Sequence, residues 1–69
     1  MLMGSIEGNV IDYNGYTGKI VYDDKEFLLL DSNILSSEII STGDVVSFVP
    51  EIVNDILIAR FVEKVVNNK

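Results

Sequence analysis

Short apolar runs separated by turn residues recur along the whole chain, and this spacing restricts the fold more than any other feature. "SIEGNVIDY", "GKIVYD", "EFLLLD", "DVVSFVPE" and "ILIARFVEKV" each read as a strand, rich in β-branched and aromatic residues and bounded by Gly, Asp or Asn. Five strands fill a chain of 69 residues, so it is one domain. A domain of that size buries only about 60% of the surface that its unfolded chain exposes, which leaves no room for a second lobe or a deep enclosed site. An open sheet would leave its edges bare. The expected fold is therefore all-β, a small five-stranded barrel over about residues 4–65, with a polar tail at 66–69.

Local signals refine this expectation. Gly8 interrupts the first strand as a bulge or bend would. Asp23-Asp24-Lys25 reads as the polar turn of a hairpin between "GKIVYD" and "EFLLLD". "DSNILSSEII" is the exception to the strand pattern: Asp31 or Ser32 is placed to cap one helical or 3-10 turn before Gly43 releases the chain. Period-two alternation assigns Val10, Ile20, Phe27, Leu29, Val46, Phe48, Ala59 and Phe61 to the interior, with Ile34 closing one end. The same alternation turns Leu28 and Leu30 outward, where a barrel of this size has no second core to receive them.

Composition narrows the chemistry. The apolar fraction is 48% with a single proline, far from the composition of disordered chains. No cysteine is present, so neither a disulfide framework nor a thiolate site is available, and a reducing compartment fits. The start, "MLMGSIEG", lacks a basic segment followed by a long apolar one, and no apolar run approaches a membrane span. A soluble cytoplasmic protein without a membrane partner is expected. No histidine is present either, which removes the commonest general base, and no cofactor, metal cluster or enzymatic activity is expected. Asp23, Asp24 and Glu26 supply too few oxygen ligands for calcium and read as turn solvation. Asp44 and Glu51 read as strand-end residues facing water.

The stretch "NGYTGKIV" invites a phosphate-loop reading through Gly18-Lys19. That motif needs a glycine five residues before Gly18 and a Ser or Thr after the lysine, where this chain has Tyr13 and Ile20. The reading fails. What remains is a tight turn at Asn14-Gly15, a bend or bulge at Gly18, and the aromatic Tyr16 exposed between them.

Taken in order, "GNVIDYN", "GYTGKI", "FLLLDSNI", "TGDVVSFVPE" and "IARFV" resemble the cold-shock domain, an OB-fold family that binds single-stranded RNA and DNA. The resemblance spans about residues 4–65 and implies a five-stranded antiparallel Greek-key barrel with a short 3-10 turn after the third strand. It also implies base stacking on aromatics of the first three strands. Tyr13 and Tyr16 match two of those aromatics. Asp12 stands at the exposed tryptophan position, an extra Thr17 precedes Gly18, and Lys19 replaces the second aromatic of the second strand. Leu28, Leu30 and Asp31 stand where the third strand carries Phe, His and a further aromatic. Each stacked base is worth about 1–3 kcal/mol, so this reduced platform implies weak binding.

The formal net charge of -6 points the same way, because binding to phosphates rewards basic surfaces. Two functions compete. One is a weak single-stranded nucleic-acid module using Tyr13, Tyr16 and Lys19, with Leu28 and Leu30 on the same face and Lys25 or Arg60 as auxiliaries. The other is a protein-interaction or homodimer module using the apolar face of Tyr16, Leu28 and Leu30, rimmed by Asp12, Asp31 and Lys19.

Overall fold

The computed structural model describes residues 5–35 and 39–65; Ser36–Glu38 and the tail at 66–69 lie outside the described residues. The described residues form five strands, β1 (Ile6–Tyr13), β2 (Thr17–Tyr22), β3 (Lys25–Leu30), β4 (Val45–Val53) and β5 (Ile56–Lys64), with one 3-10 turn at Asp31–Asn33. They close a barrel in the order β1-β2-β3-β5-β4, and β4 returns to pair with β1. Every neighbour is antiparallel except β3 and β5, which run parallel. This is the arrangement of an OB-like barrel. Among the described residues, no helix is long and apolar enough to cross a membrane.

Turn chemistry sets the two hairpins. Tyr22 pairs with Lys25 across Asp23 and Asp24, whose φ angles are 53° and 62°. Val53 likewise pairs with Ile56 across Asn54 and Asp55, at 51° and 68°. Positive φ at both central residues matches the twist of the flanking strands, and Asp and Asn tolerate it better than other side chains. The second hairpin lengthens β4 to Val53, past the end expected at Glu51. The 3-10 turn lies where it was expected, but Leu30 holds the cap position and no side chain caps it. The expected capping by Asp31 or Ser32 is therefore corrected; the turn is closed by the Ile34 amide donating to the Asp31 carbonyl at 3.1 Å.

β1 curves at a different residue from the one anticipated. Its register with β2 shifts between Val10 and Asp12, making Ile11 the inserted residue, whereas Gly8 sits in regular register opposite Val46. Gly8 is required by packing: a Cβ there would lie 2.6 Å from an Ile20 methyl. Gly18 pairs with Tyr13, two residues past the insertion, and a Cβ there would collide with the Asp12 carbonyl oxygen. Only glycine lets β1 fold over β2 this closely.

The interior holds Val10 from β1, Ile20 from β2, Phe27 and Leu29 from β3, Val46 and Phe48 from β4, and Ala59 and Val62 from β5, joined by Ile40. Ile34 packs partly buried against this set and bridges Val62 in parallel. Phe61 is the correction. It is 55% exposed, and Val62 takes the interior place. Ser47 pairs with Glu63 and Val49 with Arg60, so Phe61 and Val62 together face Phe48 alone. One inserted residue reverses the in-and-out alternation for the rest of β5.

Candidate functional site

The sheet registers place the candidate residues on one curved outer surface. Asp12 of β1 lies opposite Lys19 of β2, Lys19 opposite Leu28 of β3, and Leu28 beside Ile58 of β5. Thr17 faces Leu30 one step further along. Tyr16 stands at the entrance to β2, immediately before this row.

Tyr16 combines a fixed backbone with a free ring. The Asn14 side-chain oxygen accepts hydrogen bonds from the amides of Tyr16 and Thr17, both at 2.9 Å. The Tyr16 carbonyl accepts from the Asp31 amide at 2.9 Å, which ties the β1–β2 loop to the 3-10 turn. The residue is nonetheless 74% exposed. Its aromatic face is thus presented to solvent at little further ordering cost.

Tyr13 is placed differently. It pairs with buried Gly18 and packs partly buried against the core cluster, at the rim of the barrel rather than free on the outer face. Burial, and then the Asp31 carboxylate, hold its phenol above the usual tyrosine value. It is neutral throughout the physiological range.

Charge on this surface is mixed. Lys19 meets Glu26 at 3.7 Å with both side chains more than half exposed. Lys25 meets Asp23 at 3.8 Å, Arg60 meets Glu51 at 2.6 Å, and Lys64 meets Asp44 at 3.6 Å. Each of the four described cations therefore has an acidic neighbour. Asp44 also accepts from the Ser41 amide at 2.8 Å, so it and Glu51 organise their surroundings rather than merely facing water. Pairs this exposed contribute about 0–1 kcal/mol, so any of these cations can exchange partners at small cost.

Leu28 and Leu30 turn outward as expected but are half-buried. Ile58 lies beside Leu28 on the parallel strand. The larger exposed apolar surface lies beyond them on the β4–β5 hairpin, where Ile52 is 69% and Ile56 52% exposed. A shallow groove of about 180 Å³, lined by Lys19, Glu26, Phe27, Leu28, Ile56 and Leu57, separates the hairpin from β2 and β3. Sequence reading missed this tip, although Asn54-Asp55 between two β-branched runs is a two-residue hairpin signal.

A second groove, of about 280 Å³, is lined by Val49, Pro50, Glu51, Arg60 and Phe61. The Arg60 guanidinium lies 5.9 Å from the centroid of the Phe61 ring. Phe61 was expected inside the barrel, so no sequence signal placed it here. Compared with known proteins, the chain matches no family model and no curated protein.

Proposed function

We propose that this chain is a non-enzymatic, cytoplasmic module of the cold-shock type that binds single-stranded RNA or DNA weakly through a reduced aromatic platform. The observation that carries this reading is Tyr16, a largely exposed ring on a backbone anchored at both its amide and its carbonyl. Stacking on such a ring is sequence-tolerant, because every base offers a π-face. Lys19 lies on the neighbouring outer position and exchanges Glu26 for a phosphate at low cost. Leu28 and Leu30 supply an apolar floor beside it. Tyr13 at the rim adds a contact only at its exposed edge.

Tyr16→Ala is expected to lower the affinity for a labelled single-stranded oligonucleotide about tenfold, the loss of one stacked base. Fluorescence anisotropy at two salt concentrations measures this, and the wild-type slope is expected to be shallow, about -0.7 per phosphate neutralised. An unchanged titration for the variant removes Tyr16 as a platform.

A second reading, a protein-interaction or self-association module, is favoured by one specific observation. Outward-facing Leu28 and Ile58 lie side by side on the barrel, and Ile52, Val53 and Ile56 expose apolar surface on the adjoining hairpin. Ile52→Glu with Ile56→Lys is expected to leave the thermal melt intact and to convert any dimer to monomer in sedimentation velocity. If the wild type is already monomeric at high concentration, the self-association version falls.

A further inference from the structure

Phe61 sits where its chemistry and its backbone conformation disagree. Five described non-glycine residues have positive φ; four are the Asp and Asn residues of the hairpin turns, and the fifth is Phe61 at 54°. The left-handed region is unfavourable for an aromatic residue, and glycine or asparagine would fill a bulge there with less strain. The barrel gains no core from it, since the ring is 55% exposed and Val62 fills the interior. Strain held at a position that contributes no core points to a role outside the core.

The surroundings of the ring indicate what that role is. The Arg60 guanidinium lies over the ring and is held by Glu51, so a flat aromatic and a planar cation are presented together. Val49 and Pro50 complete the groove beside them. We infer that Phe61 and Arg60 form a second base-stacking subsite, in which the ring takes the face of a nucleobase and the guanidinium leaves Glu51 to hold the adjoining phosphate. This rests on the nucleic-acid reading above and extends it to a different part of the barrel. A guanidinium suits both tasks, because it stacks on π-faces and pairs with phosphate oxygens through two parallel hydrogen bonds.

The register connects this subsite to Tyr16. Leu28 is level with Ile58 on the parallel strand, Leu30 and Arg60 each follow two residues further along the same direction, and Leu30 faces Thr17. Strands lie about 4.8 Å apart, which puts the β2 and β5 ends of the route on the order of 10 Å from each other. A strand of about four nucleotides, the lower end of an OB-fold site, covers that distance. The route runs from Tyr16 over Leu30 to Arg60 and leads away from Asp12, with Asp31 as the acid beside its start. The bound strand thus crosses β2, β3 and β5, whereas the resemblance implied β1, β2 and β3.

Two variants test this against Tyr16→Ala, each titrated against a labelled oligothymidylate of about eight nucleotides. Phe61→Asn removes the ring but suits the left-handed backbone, so Tm is expected to rise by about 5 °C while affinity falls about tenfold. Phe61→Trp introduces the sole tryptophan of the chain, and its fluorescence is expected to be quenched as the oligonucleotide binds. If Tyr16→Ala weakens binding while Phe61→Asn binds like the wild type and Phe61→Trp is not quenched, the subsite is overturned and the nucleic-acid reading stands. If the wild type binds no oligonucleotide at all, both fall.

Discussion

Gly18→Ala is expected to abolish cooperative folding. The added Cβ would overlap the Asp12 carbonyl oxygen and would lie 2.9 Å from its carbon and 2.8 Å from the Tyr13 Cα. These are backbone atoms, so no rotamer change relieves the contact. Relief requires β1 to move off β2, which breaks the pairing on both sides of the Ile11 insertion. A domain of this length has a total stability of about 3–10 kcal/mol, and a backbone clash of this kind is expected to cost at least about 4 kcal/mol. Circular dichroism should show no cooperative thermal transition. A melt within a few degrees of wild type would mean that the two strands separate at this point with little effort.

Phe48→Ala is expected to be nearly as damaging for a different reason. Phe48 is the largest fully buried side chain, and its ring meets Phe27 at 5.1 Å between centroids with a tilt of 57°. Truncating a buried phenylalanine costs about 3–5 kcal/mol through lost transfer energy and the cavity left behind. With a urea m-value of about 1 kcal/mol/M, the midpoint should fall by about 3 M or leave no folded baseline. A fall below about 1 M would show that Val46, Ile20 and Leu29 collapse into the space.

The two cases mark how far the sequence was legible. Seven interior residues from β1 to the first half of β5 followed from alternation alone, because Val10 precedes the Ile11 insertion in β1 and β5 keeps its period up to Ala59. Phe61 did not, since the inserted residue carries no glycine or asparagine to announce it. The asparagine-aspartate turn was visible, but Pro50 and Glu51 read as the end of a strand and hid the longer hairpin. At the candidate site, Asn14-Gly15 already implied an exposed Tyr16. The setting of Leu28 was not readable, because its neighbour Ile58 is thirty residues away in the chain and is brought alongside by the parallel pairing of β3 with β5. The engagement of Lys19 by Glu26 is likewise a cross-strand contact with no local signature.

The insertion at Phe61 also divides β5 into two reading frames. Before it, the odd-numbered Leu57 and Ala59 face the barrel; after it, the even-numbered Val62 does. A map of tolerated substitutions along Ile56–Lys64 therefore changes phase in mid-strand, and a polar replacement tolerated at an even position upstream becomes destabilising at Val62. A single β-strand thus carries two alphabets, and the aromatic at their junction belongs to neither.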